Sequence, residues 1–286
     1  MKVAVIGVGA MGLAMAGHIK NAGHDVIVTD IDAGRRAEAG KNGLTTAETL
    51  AEAAQNAEVF IVVVATDDQS RAVTGDILEA GRPGAAIVIA ATNNLRTMQA
   101  LAAEAQAKGF RFVDAPVVFG LQGAKEGVLV SLCGGSADDV AFVEPVLMAY
   151  GRALHHVGPV GAGQLAKTCN NMMHWVACVA NYEVLLLAKR FGIDAQKMRE
   201  ILLDCPAHNV TLKRWDTTRF TWHEKDMDVA LDLAQDGGVP LPLFGQVDQL
   251  VKRLGPERVK ELLYGEEAEY LGEKIVPLDA EHGGLG

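Results

Sequence analysis

The chain has 286 residues, 49% hydrophobic and 22% charged, which is enough apolar material for one large or two ordinary domains. Its net charge of −10 argues against a surface for nucleic acid or anionic membrane, which needs clustered positive charge, and no block of like charges marks an electrostatic tail. The four cysteines, Cys133, Cys169, Cys178 and Cys205, show neither a CxxC pair nor zinc-site spacing, so a reduced, cytoplasmic protein with no bound metal is expected.

Met1-Lys2 and the apolar run after it could pass for a signal peptide ending at Ala14-Met15-Ala16, but glycines at 7, 9 and 12 break the helix such a leader needs. Further along, short apolar runs alternate with helical periods. Strands are predicted at Val3–Ile6 and Val26–Thr29, with helices at Met11–Asn21, Ala33–Ala39 and Thr46–Ala54. A strand at Val59–Val64 precedes a helix at Asp68–Glu79; the run Val59 to Ala65 is far too short to span a bilayer. Strands at Ala86–Ile89 and Arg111–Val113 flank a helix at Thr97–Lys108, and strands at Val128–Cys133 and Ala153–Val157 flank one at Ala137–Tyr150. This alternation predicts a mostly parallel, doubly wound α/β sheet with its ligands at the carboxyl ends of the strands.

The pattern changes after Gly158-Pro159-Val160-Gly161. Gln164 to Phe191 is one helical stretch without Pro or Gly, followed by helical segments at Ala195–Leu203, Lys225–Gln235, Leu243–Arg253 and Pro256–Tyr264. The expected organisation is therefore a dinucleotide-binding Rossmann domain over 1–160 and an all-helical domain over 161–286, built on one long helix. The glycine-rich tail Glu281–Gly286 is expected to fray.

Gly7-Val8-Gly9-Ala10-Met11-Gly12 follows a strand and opens a helix, the context a GxGxxG motif needs to be read as a dinucleotide site. Gly7 permits the tight turn, Gly9 lets the backbone approach the pyrophosphate, Gly12 allows close helix–strand packing, and Ala10 and Met11 line the helix start that faces the negative charge. Asp30 ends the second strand, 23 residues after Gly7, where a carboxylate accepts from the ribose hydroxyls and repels a 2′-phosphate. NAD is therefore the expected cofactor, with NADP possible because Arg35 or Arg36 lies within reach of a 2′-phosphate.

Lys167 and Asn171 stand at i and i+4, about 6 Å apart along one helix face. A lysine can protonate a carbonyl oxygen as hydride reaches its carbon, and an amide one turn away can hold the substrate oxygen or the ammonium. Spacing alone leaves a plain surface pair open. His174 and Cys178 continue the same face, with Asn170 to its side; His174 reads as a substrate contact or as a core histidine.

Four segments in order resemble the β-hydroxyacid dehydrogenases, which include 3-hydroxyisobutyrate dehydrogenase and tartronate semialdehyde reductase. They are Gly7–Gly12 with Met15-Ala16 and Gly23-His24; Asp114-Ala115-Pro116-Val117 with Gly120, Gly123-Ala124 and Gly127; Gly161-Ala162-Gly163 through Lys167 to Asn171; and Lys225-Asp226. The resemblance spans nearly the whole chain. It implies Lys167 as general acid/base, Asn171 as its catalytic partner, Thr92 and Lys225 beside the cofactor, a cleft between two domains, and a homodimer or homotetramer. The implied reaction is reversible hydride transfer between NAD(P) and a 3-hydroxy acid or related small alcohol.

The chain departs from that family where it usually has Ser-Gly-Gly to hold the substrate carboxylate; here stands Val118-Phe119-Gly120. Val118, Phe119, Gly120, Gly123 and His174 are the candidate substrate residues, and His208, Lys213 or Arg214 could supply a replacement anion contact. An imine reductase of the same superfold and a catalytically silent dinucleotide-binding protein are the alternatives; Lys167 speaks against the first, and Lys167 together with Asn171 against the second.

Overall fold

In the computed structural model, which describes residues 1–285, the apolar runs of the first half lie side by side as one sheet. In chain order the elements are β1 (Lys2–Ile6), α1 (Ala10–Asn21), β2 (Asp25–Thr29), α2 (Ala33–Lys41), β3 (Thr45–Thr46), α3 (Leu50–Ala54), β4 (Val59–Val62), α4 (Asp67–Ala80) and β5 (Ala86–Ile89). Next come α5 (Leu95–Ala107), β6 (Arg111–Asp114), β7 (Val117–Val118), α6 (Gly120–Glu126), β8 (Leu129–Gly134), α7 (Ala137–Leu147) and β9 (Gly151–Gly158).

The strand order is β3-β2-β1-β4-β5-β6-β8-β7, with β9 also paired to β8. Strands β1 to β6 are parallel, β8 runs antiparallel to β6 and β7, and β9 is parallel to β8 with two register shifts. The two-residue period of each strand divides its side chains between two cores. Val3, Val5, Val59, Ile61 and Val88 face α1 and α7 through Met15, Ile19 and Val143. Ala4, Phe60, Val62, Ile87 and Ile89 face α4 and α5 through Ile77, Met98 and Leu101. Full burial of each such Val or Ile contributes about 1.5–3 kcal/mol, so both faces need their helices. The predicted strands and helices stand within a few residues of these elements; β3, β7 and α6 were not anticipated.

The chain divides into two compact units, Met1–Lys167 and the residues from Thr168 on. Helix α8 (Ala162–Arg190) begins in the first and continues into the second. The second unit adds α9 (Ala195–Leu203), α10 (Val210–Lys213), α11 (His223–Gly237), α12 (Pro242–Val251) and α13 (Pro256–Tyr264), then a hairpin of β10 (Ala268–Tyr270) and β11 (Glu273–Ile275). Trp175, Val179, Tyr182 and Leu186, at helical spacing on α8, form its core with Leu212, Trp215, Met227, Val251 and Leu262.

The hairpin is an addition to the expected helices. The tail, expected to fray, instead meets the end of α8: the Leu278 and Leu285 N–H groups donate to the Arg190 and Phe191 carbonyls at 2.8 and 3.0 Å. Those carbonyls have no partner further along the helix, which gives the tail something to bind. Gly286 lies outside the described residues. No helix among the described residues is long and apolar enough to cross a membrane.

Candidate active site

The glycine turn is shaped by what a side chain would meet. Gly7 has φ +90°, and a Cβ there would lie 2.3 Å from the Val63 carbonyl oxygen; one on Gly12 would lie 2.0 Å from the Gly7 carbonyl oxygen. Both positions therefore exclude any other residue while α1 packs this closely on β1. At Gly9 the nearest atom to a Cβ is Arg35 Nη1 at 3.8 Å, so the space above it is open. Helix α1 has no side-chain cap and no acid in its first turn, including at Ala10 and Met11, and its positive end is left for an anion. This cradle fits a dinucleotide pyrophosphate.

Asp30 closes β2 beside that turn and is 7% exposed. Its Oδ2 accepts from the Val8 N–H at 2.9 Å and its Oδ1 from the Asp32 N–H at 3.0 Å, which ties the glycine turn to the second strand. The two neighbouring arginines differ. Arg36 donates to the Asp30 carbonyl at 2.7 Å and pairs with Glu48 at 3.1 Å, so it is committed to the scaffold. Arg35 is half exposed and its Nη1 lies 3.5 Å from Asp30 Oδ2.

Further along the carboxyl ends of the strands, the loop after β5 and the start of α8 are bound together. The Gln164 side chain accepts from the Asn93 N–H and donates to the Ala91 carbonyl, both at 2.9 Å, bracketing half-buried Thr92. Asn93, fully buried, accepts from Ser70 Oγ at 3.1 Å and donates to Asp67 Oδ1 at 3.0 Å. At the end of β6, Asp114 accepts from the Gly161 N–H at 2.7 Å and the Gln164 N–H at 2.9 Å. Burial pushes the Asp114 carboxyl up to about 6, with those backbone hydrogen bonds pulling the other way.

Lys167 is half-buried three residues beyond Gln164, the last residue of the first unit; Asn171 follows four residues on in the same unbroken helix. The first unit thus brings Gly7, Gly9, Ala10, Met11, Gly12 and Asp30 together at one end of the sheet, with Thr92 and Lys167 carried by one network at the same edge.

In the divergent loop, Phe119 takes the left-handed conformation, φ 84°, just before α6. Its ring lies 4.5 Å below the Arg152 guanidinium of β9, and a Cβ on buried Gly123 would lie 2.5 Å from Phe119 Cβ. Gly120 is exposed and Val118 half-buried.

Within the second unit, Asn171 Oδ1 accepts from Asn170 at 3.2 Å. His174 meets Thr211 Oγ1 at 2.9 Å and the Cys178 sulfur at 3.9 Å, and its ring lies tilted against Trp175, centroids 4.6 Å apart. Lys225 is half-buried in the first turn of α11, and Asp226 accepts from Trp175 Nε1 at 3.0 Å. His208 and Lys213 are exposed, and His208 Nδ1 lies 2.9 Å from the Cys205 carbonyl. Residues 207–217 form only α10 and a 3-10 turn: the Asn209 side chain accepts from the Leu212 N–H at 2.7 Å, and Arg199 donates to the Leu212 and Lys213 carbonyls.

Asp67, Asn93 and Gln164 are not marked as functional by the sequence, where Gln164 only opens the long helix, and Asp114 is marked only by its motif. Asn93 and Asp114 carry one local signal, a polar residue at or soon after the end of a buried strand; Asp67 and Gln164, on helices α4 and α8, carry none.

A parallel sheet of order 3-2-1-4-5-6 with this turn is the fold that holds a dinucleotide at the carboxyl ends of its strands, and it defines a nicotinamide-dinucleotide-binding class of protein. Comparison with known proteins narrows the class. A family model described as the NAD binding domain of 6-phosphogluconate dehydrogenase matches residues 2–158, and one described as the NAD-binding domain of NADP-dependent 3-hydroxyisobutyrate dehydrogenase matches 161–262. An uncharacterized oxidoreductase of Shewanella frigidimarina is 33% identical over 87% of this chain and 90% of its own. The 3-hydroxyisobutyrate dehydrogenase of Pseudomonas aeruginosa is 32% identical over 75% of this chain and 73% of its own. The solved structure of Mycobacterium tuberculosis 3-hydroxyisobutyrate dehydrogenase with L-serine superposes with a TM-score of 0.82 at 26% identity, over 92% of this chain and 99% of that one. The chain belongs to the β-hydroxyacid dehydrogenase family.

Proposed function

We propose that the protein interconverts a small 3-hydroxy acid and its aldehyde acid, with 3-hydroxyisobutyrate as the reference substrate and NAD preferred over NADP. The observation that carries the reading is the anchoring of the α8 start on the carboxyl ends of β5 and β6, one turn before Lys167. When bound, the nicotinamide takes up or supplies the hydride. Lys167 takes the hydroxyl proton during oxidation and returns it to the carbonyl oxygen during reduction. The Asn171 amide orients the substrate oxygen or the ammonium. The same reading assigns Thr92 and Lys225 to the cofactor, and Val118, Phe119, Gly120, Gly123 and His174 to the substrate. The NAD preference rests on Asp30, whose buried carboxylate opposes a 2′-phosphate.

The same reading assigns 1–160 to the cofactor and 161–286 to substrate and self-association as a dimer or tetramer. It also places the protein in the cytoplasm, where its four unpaired cysteines stay thiols. The test is turnover at 340 nm of racemic 3-hydroxyisobutyrate, L-serine and apolar alcohols with each cofactor, alongside Lys167→Ala. Turnover lost in the variant, with NADH still bound, supports the assignment; an equally active variant removes Lys167 from the chemistry.

A further inference from the structure

The carboxylate of Asp114 sits where nothing but a carboxylate belongs. Asp114 is fully buried, and its two oxygens are divided between the Gly161 and Gln164 N–H groups of the α8 start. The space for it is made by two glycines: a Cβ on Gly134 of β8 would lie 2.3 Å from Oδ1, and one on Gly163 of α8 would lie 2.8 Å from Oδ2. Gln164, 1% exposed, then reaches from the same turn to both sides of Thr92. A helix start needs acceptors for its orphan N–H groups, but Ser, Asn or Asp nearby in sequence usually provides them. Here the acceptor comes from a strand 47 residues upstream.

We propose that Asp114, with Gln164, is a positioning residue for proton transfer: it fixes the first turn of α8 against the ends of β5 and β6 and thereby sets the place of Lys167 relative to the Thr92 loop. The proposal rests on Lys167 being the acid/base. Asp114 touches none of the reacting atoms and acts through three residues of helix. A carboxylate that burial makes harder to ionise is a poor device for stability alone, because an apolar end to β6 avoids that cost. Its two oxygens match two converging N–H groups in a way that one amide oxygen cannot.

The test is Asp114→Asn in the full chain, with racemic 3-hydroxyisobutyrate and NAD as probes and Lys167→Ala alongside. Asparagine turns an N–H donor toward a backbone N–H. The expected result is at least a tenfold fall in kcat, with KM and the NADH Kd within twofold of wild type. Amide hydrogen exchange at 161–167 should be at least tenfold faster while exchange across Ala86–Ile89 stays unchanged. In a Lys167→Ala background given methylamine as a soluble base, Asp114→Asn should change the rescued rate by less than twofold, whereas a merely structural role lowers both backgrounds alike. Should Asp114→Asn not fold, Gln164→Met carries the same measurements, since it frees the helix start from the β5–α5 loop and leaves Asp114 in place.

Wild-type kcat in a folded Asp114→Asn protein, beside an inactive Lys167→Ala, overturns the positioning role and leaves the acid/base intact. Full turnover in Lys167→Ala overturns both.

Discussion

Replacing Gly9 by alanine separates cofactor binding from folding. Gly9 has φ −60° and ψ −176°, a conformation alanine adopts without strain, and its Cβ would meet nothing closer than 3.8 Å. Restricting the unfolded chain then favours the variant by about 0.4–1 kcal/mol. The added methyl instead fills the space above the turn, where the pyrophosphate approaches the backbone. A loss of at least tenfold in NADH affinity is expected, about 1.4 kcal/mol. Gly12→Ala is the contrasting variant. Its Cβ would stand 2.0 Å from the Gly7 carbonyl oxygen, so α1, which buries Met15, Ala16 and Ile19, must shift on the sheet. That shift costs about 1–3 kcal/mol of stability, and binding falls with it. Urea unfolding followed by circular dichroism gives the stabilities, and NADH fluorescence titration gives the affinities. Wild-type affinity in Gly9→Ala would refute the placement of the pyrophosphate over this turn.

Asp30→Ser should lower the NAD-to-NADP ratio of kcat/KM at least tenfold and cost about 1–3 kcal/mol, because the Val8 N–H loses its carboxylate acceptor; an unchanged ratio means Asp30 does not read the ribose. Asp114, raised from 3.8 to about 6, binds a proton in the folded chain that the unfolded chain has already released between those values. Its contribution to stability is therefore greatest below pH 4, falls as pH rises to 6, and is constant above. Urea unfolding across pH should show wild type losing up to about 3 kcal/mol relative to Asp114→Asn over that window, and a flat difference contradicts the shift. Phe119→Gly should be more stable than Phe119→Ala by about 1 kcal/mol, the reverse of the usual order, because only glycine is at ease at φ 84°; parallel denaturation curves decide it.

The cofactor turn is legible from sequence because every part of it is local: one strand, three glycines and a carboxylate at the next strand end. The long helix is legible for the same reason, having no Pro or Gly from Gln164 to Phe191. Other parts depend on distant partners. Asp114 meets residues 47 and 50 positions away, and no spacing rule connects them. Strand β7 and helix α6 are hidden because their junction is a left-handed phenylalanine, held by Arg152 from β9 rather than by its own propensity. The β10–β11 hairpin turns through Leu271 and Gly272 at φ 54° and 88°, a turn ordinarily marked by Asn-Gly, so its signal is absent from the sequence.

The sheet also has consequences before the protein is finished. Its core strands pair over long sequence separations, so they assemble slowly, and a nascent chain exposes strand borders to its neighbours while they do. Those borders offer little to copy. One ends in β3, only two residues long; beyond β8 lie the equally short β7 and the twice-shifted β9, with Arg152, His155 and His156 exposed along it. Short, kinked and polar rims resist edge-to-edge growth. Concentrated refolding should therefore yield discrete soluble species rather than fibrils, a safeguard written into the rims of the sheet.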